Sequence, residues 1–218
     1  MCIIIYNPGG QPLNKDLLRT AYDNNPHGFG FMWIENYEVS SIKGMSNFND
    51  IWQLATHFAG YSYALHFRWR SAGKIREAQC HPHTVLDKEK HGLNLKMMHN
   101  GTIFGMKKGK KGRSDTQVYA SQLTNEYINK HHTIDTLLDS VHGEAPAMGT
   151  FNKFVFMADG NHVEIVNEDA GVWMENRWYS NTYSFEKGYR AKQADKIAAQ
   201  KRIISQSFMG VKQPKLRA

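Results

Sequence analysis

Apolar positions in this chain follow two different periods, and the switches between them mark out its elements. Five consecutive strand-forming residues, Cys2 to Tyr6, end at the turn Asn7-Pro8-Gly9-Gly10. Phe29 to Ile34, Tyr63 to Trp69 and Leu93 to Met98 read as further strands. Helical spacing places Leu17, Leu18, Ala21 and Tyr22 on one face behind a capping Asn14. It does the same for Ile51, Leu54, Ala55 and Phe58 behind Ser46 or Asn47. Asp115 to Ile128 is amphipathic, with Val118, Leu123 and Ile128 among its apolar positions. A strand-rich set follows at Phe154 to Ala158, His162 to Val166, Val172 to Glu175 and Trp178 to Ser180, with tight turns at Asp159-Gly160 and Glu175-Asn176. Lys187 to Phe208 reads as a last helix running into a basic tail. This order suits an α+β fold: two antiparallel sheets packed face to face and covered by helices.

Composition narrows the class. The 218 residues suffice for one domain with a substantial core, or two small ones. A hydrophobic share of 41% beside a charged share of 22% is that of an ordinary globular chain. No apolar run approaches the roughly 20 residues of a membrane span, so no membrane association is expected. The start lacks a secretory pattern. Cys2 and Cys80 lie too far apart in sequence to suggest a disulfide framework. A nucleophilic thiol is best kept in a reducing compartment, which makes the cytoplasm the expected location. The net charge of +7 gathers at Lys107 to Arg113 and from Lys187 onward. The first cluster reads as a solvated loop, because Gly109 and Gly112 interrupt any helical face. Basic clusters attract anionic partners. No aromatic platform or binding motif accompanies them, so nucleic acid stays an alternative partner only.

The chemistry-bearing residues fall at the ends of the apolar runs. Cys2 stands directly behind Met1. With Met1 removed, one residue carries both a thiol and a free α-amine, whose ordinary pKa values of about 8.5 and 8 allow proton exchange near neutrality. Such a residue can supply both nucleophile and base. Arg68-Trp69 closes the third strand run, His99-Asn100-Gly101 closes the next, and Ser114-Asp115-Thr116 opens a helix. The planar fork of Arg68 suits a carboxylate. Asp115 offers an anion to an ammonium group, or simply a first-turn acid to its helix. Asn-Gly at 100 and 101 is in isolation a turn dipeptide. Trp69 in isolation is a core aromatic. Cys80-His81-Pro82-His83 does not offer the closed four-ligand spacing of a metal site, so no metal and no cofactor are expected.

Taken in order, Cys2, NPHGFG at 25–30, RWRSAG at 68–73, HPH at 81–83, HNG at 99–101 and SDT at 114–116 resemble the class II glutamine amidotransferases. The likeness spans roughly residues 2–185 and is strongest over 2–120. It implies a four-layer αββα N-terminal nucleophile hydrolase sandwich over 2–185, with residues 186–218 as a C-terminal basic helix and tail. It implies that Cys2 attacks the side-chain amide of L-glutamine, that Asn100 and Gly101 hold the oxyanion, and that ammonia leaves before a γ-glutamyl thioester is hydrolysed. It implies that Arg68 binds the substrate carboxylate, Asp115 its ammonium, and Trp69 the pocket wall. Ser71 would lie in a loop closing over glutamine, and His81 at the pocket rim. Ala72 stands where the family often has histidine, and Arg70 adds a charge. His27 and Phe29 stand where relatives carry Asp and Trp.

The residues after 185 are too few for a second catalytic domain, so a separate enzyme is the expected acceptor of the ammonia. Two alternatives stay open. One is an N-terminal cysteine hydrolase of another γ-glutamyl or acyl amide. The other is a non-catalytic module that binds nucleic acid or a protein through its basic surface.

Overall fold

The computed structural model describes residues 2–10, 12–69, 76–104, 106 and 112–183. Met1, Ser71, most of the Lys107 cluster and the helix expected from Lys187 lie outside them. Along the chain run β1 (Ile3–Asn7), α1 (Lys15–Asn24), β2 (Phe29–Glu35), β3 (Glu38–Met45), α2 (Phe48–His57) and β4 (Tyr63–Phe67). They are followed by β5 (His83–Leu86), α3 (Lys88–His91), β6 (Leu95–Asn100), α4 (Asp115–Glu126) and α5 (Ile134–Met148). The last strands are β7 (Lys153–Ala158), β8 (His162–Val166), β9 (Val172–Met174) and β10 (Arg177–Tyr179).

Helix starts follow local chemistry. Asn14 Oδ1 accepts the N–H groups of Asp16 and Leu17 at 3.0 and 3.3 Å, satisfying donors that the first turn of α1 leaves free. Asn47 does the same for α2. Ser114 and Gln117 form a reciprocal capping box on α4. The face that α4 buries differs from the expected one. Thr116, Tyr119, Ala120 and Leu123 are inside, whereas Ile128 is exposed and Val118 half-buried. The helix ends before Ile128, at Glu126, and the chain continues as a wider turn over Tyr127–His131.

The strands build two antiparallel sheets, in the orders β3-β2-β4-β1-β10-β9 and β5-β6-β7-β8. Strand alternation sends side chains to opposite faces. Ile3, Ile5, Phe31 and Leu65 pack outward against α1 and α2. Met97, Phe154 and Phe156 pack outward against α4 and α5. Ile4, Met32, Ala64, Met98, Val155 and Trp178 fill the space between the sheets. The result is the four-layer helix–sheet–sheet–helix arrangement. Burying a Leu or Phe side chain fully contributes about 1.5–3 kcal/mol, so these three clusters dominate the stability.

Two features place the functional residues. β1 lies inside its sheet, paired with β4 on one side and β10 on the other, so the residue preceding it is held between two neighbours. Gly30 in β2 lets the 80–83 segment cross closely: a Cβ there would overlap the carbonyl oxygen of His81.

Candidate active site

Cys2 precedes β1, in step with Ile4, which faces the other sheet. Its thiol is bound by the backbone of one residue. The Trp69 N–H donates to Cys2 Sγ at 3.2 Å, and the thiol donates to the Trp69 carbonyl at 3.3 Å. Burial pushes the Cys2 pKa up, while the Trp69 backbone bond and the charge of Arg68 oppose that rise. The resting group is therefore a protonated thiol, and it needs a base to become a nucleophile. The Trp69 indole is about half exposed and packs at 4.9 Å against the His27 ring.

Arg68 follows β4 and is buried. Its backbone continues the pairing with the β2 approach: the Arg68 N–H donates to Gly28 and its carbonyl accepts from His27. Its Nη2 donates to Gln79 Oε1 at 3.0 Å. Among the described residues its Nη1 has no hydrogen-bond partner, and no carboxylate lies within ion-pair distance of the guanidinium. A buried cation in that state calls for an anion.

His81 is buried, with its ring 4.1 Å from that of His66 and 4.6 Å from that of His83. Neither nitrogen of His66 or His81 has a hydrogen-bond partner among the described residues. Burial, helped by neighbouring positive groups, holds His66 and His83 at about 3 and His81 well below the ordinary histidine range. These rings are neutral at physiological pH. Among the described residues no group of His, Cys, Asp and Glu is arranged to hold a metal ion.

Asn100 ends β6, and its Nδ2 donates to Ser180 Oγ at 2.7 Å. Gly101 follows at φ 155°, and a Cβ there would come within 2.8 Å of the Asn152 Cα and crowd His99 Nε2. His99 secures this turn. Its Nε2 donates to Asn152 Oδ1 and its Nδ1 accepts from Thr116, both at 2.9 Å. Burial lowers its pKa to about 4 against the opposing effects of Asn152 and Asp115. Asp115 accepts the Ile103 N–H at 2.8 Å and the Thr116 N–H at 2.9 Å, which fastens the loop after Gly101 to the start of α4. A carboxylate has about four lone-pair sites, so two remain for another donor.

The structure thus joins Cys2 to Trp69 directly, and Asn100 to β1 through Ser180, whose Oγ also accepts the Ile4 N–H at 2.9 Å. It leaves Asp115 at the far end of the Gly101 loop and His81 inside the histidine cluster. Ser71 and the loop around it lie outside the described residues. Two surface grooves, one lined by Asn36, Tyr37, Tyr61 and Asn161 and one by Phe104, Met148 and Phe151, include none of these residues. Ser180 and Asn181 carry no local sequence signal and enter only through the position of β10 beside β1. Asn181 Nδ2 donates to the Cys2 carbonyl at 2.8 Å.

No family model and no curated protein matches the chain. Solved structures do. A structure described as the allosteric regulatory enzyme of purine biosynthesis aligns at 14% identity and TM-score 0.51, over 85% of this chain and 43% of its own. Glutamine phosphoribosylpyrophosphate amidotransferase from B. subtilis, complexed with ADP and GMP, aligns at 13% identity and TM-score 0.46 over the same shares. A predicted glutamine amidotransferase from Pseudomonas aeruginosa aligns at 12% identity and TM-score 0.46, over 81% of this chain and 78% of its own. The chain spans less than half the length of the first two. The likeness is one of fold: two antiparallel sheets packed face to face and covered by helices.

Proposed function

We propose that this chain hydrolyses the side-chain amide of L-glutamine through a Cys2 thioester and releases ammonia. The observation that carries the reading is Arg68, a buried guanidinium with a free Nη1 and no carboxylate partner among the described residues, one residue from the peptide that binds the Cys2 thiol. The α-carboxylate of an amino acid completes that site. Asp115, with lone pairs to spare, takes the α-ammonium.

Removal of Met1 frees the Cys2 α-amine, which accepts the thiol proton as Sγ attacks the amide carbon. The Asn100 amide and the Gly101 N–H stabilise the tetrahedral oxyanion, each contributing about 3 kcal/mol. The Cys2 α-ammonium then passes that proton to the departing nitrogen, the carbon–nitrogen bond breaks, and ammonia leaves. Water, deprotonated by the same amine, cleaves the thioester to glutamate and regenerates the thiol.

Mature protein should release ammonia from glutamine, with intact mass confirming that Met1 is gone. Cys2→Ala should lower that rate by roughly a thousandfold or more. Undiminished release by Cys2→Ala would remove the nucleophile from the scheme.

Ammonia made this way serves a separate acceptor enzyme. The basic stretch from Lys187 to Arg202 is its proposed dock, outside the described residues. Docking through exposed charge is screened beyond about 8 Å at physiological salt. Capture of a synthase-like protein at low salt, lost on deleting residues 187–218 with glutaminase activity retained, is the expected result. Capture unaffected by the deletion overturns the dock.

A further inference from the structure

The proposed chemistry needs the Cys2 sulfur and the Asn100 amide at a fixed offset, yet they belong to different sheets. Cys2 precedes β1 in one, and Asn100 ends β6 in the other. The dipeptide directly after β10 spans the gap. Ser180 is fully buried. Its Oγ accepts the Ile4 N–H at 2.9 Å and Asn100 Nδ2 at 2.7 Å, and its own N–H donates to the Ile4 carbonyl at 2.9 Å. Its neighbour Asn181 donates through Nδ2 to the Cys2 carbonyl at 2.8 Å.

Two donors occupy both lone pairs of the Ser180 hydroxyl. The oxygen meets the NH2 end of the Asn100 amide as an acceptor. One Nδ2 hydrogen is committed to Ser180, and the direction of the second follows from the first because the amide is planar. We propose that Ser180 is a positioning residue that sets the direction of the Asn100 amide relative to Cys2, and that Asn181 holds the Cys2 side of the same clasp. The role rests on the amide-hydrolysis reading above. Ser180 touches no substrate and acts through Asn100.

Ser180→Ala should lower kcat for glutamine hydrolysis by about ten- to a hundredfold while KM stays within about twofold, since misaimed groups lose rate rather than binding. In an Asn100→Ala background the same change should cost less than about threefold more, because the residue it serves is gone. A loss carried undiminished into that background belongs to a merely structural residue and overturns the proposal. A second readout needs no substrate. The Asn100 side-chain amide proton pair, identified by its disappearance in Asn100→Ala, should shift in Ser180→Ala. An unmoved pair overturns the proposal. If the mature wild-type protein leaves glutamine intact, the substrate reading fails, and the amide signal alone decides whether Ser180 sets Asn100. If Ser180→Ala does not fold, Ser180→Cys, a weaker acceptor at a longer distance, carries both comparisons.

Discussion

Keeping a guanidinium buried without a carboxylate is costly, and among the described residues Arg68 has none, beside the thiol. A bound carboxylate would offset that cost, so the site's affinity should depend on the shape of this one cation. Arg68→Lys keeps the charge and loses the fork. It should raise KM for glutamine by about tenfold or more with a smaller change in kcat. Asp115→Asn should act in the same direction, and should also lower the thermal midpoint, because an amide oxygen can serve only one of the Ile103 and Thr116 N–H groups that its two carboxylate oxygens accept. Unchanged KM in both variants would move the head group elsewhere. Cys2, Arg68, Asn100 and Asp115 stand out as candidates through the order of the motifs and the resemblance that order carries. Ser180 and Asn181 do not, since a serine and an asparagine after a short strand look like any turn until the sheet order puts them beside Cys2 and Asn100.

At the scale of elements, legibility tracked how one-sided each segment is. α1 and α2 were readable because Asn14 and Asn47 cap clean apolar faces. β3 was not: its residues Glu38, Ser40, Ser41 and Ile42 are exposed, and it exists because an Asn36-Tyr37 turn, both residues at positive φ, folds it back on β2. α5 hides behind Gly143 and Pro146, although Thr133 caps it and Leu137, Leu138, Val141 and Ala145 supply a buried face. β5 is four residues long, held by its pairing with β6, and the segment that leads into it crosses closely over β2. Gly30→Ala tests that crossing. The added methyl meets backbone, which cannot rotate away, so unfolding stability should drop by about 3 kcal/mol in urea titrations. A loss under about 1 kcal/mol would mean that the crossing can shift at little cost.

Over the whole molecule, four buried histidines come from both sheets: His66 in β4, His81 before β5 and His83 at its start lie ring to ring, and His99 in β6 stacks on Phe154. Their pKa values are lowered in the folded state, to about 3 for His66 and His83 and about 4 for His99. Unfolding restores ordinary values near 6.5, so the unfolded chain binds more protons below that pH. The contribution to stability is full above about 6.5 and lost as the pH falls toward 3, at up to about 1.4 kcal/mol per pH unit for each ring. Urea midpoints should fall steeply from pH 7.5 to pH 5, and His66→Met should flatten the slope. An equal slope in that variant would assign the acid sensitivity to other groups.

The placement of β1 between β4 and β10 also sets a schedule. Synthesis delivers Cys2 well before its sheet neighbour at 177–179 and the Ser180-Asn181 clasp. Pairings of such sequence separation form slowly, because the loop must close before any contact repays it. Cys2 therefore leaves the ribosome long before Ser180 and Asn181, the residues proposed to set it against Asn100. A chain interrupted anywhere before β10 carries Cys2 without the strand and the dipeptide that pack beside it.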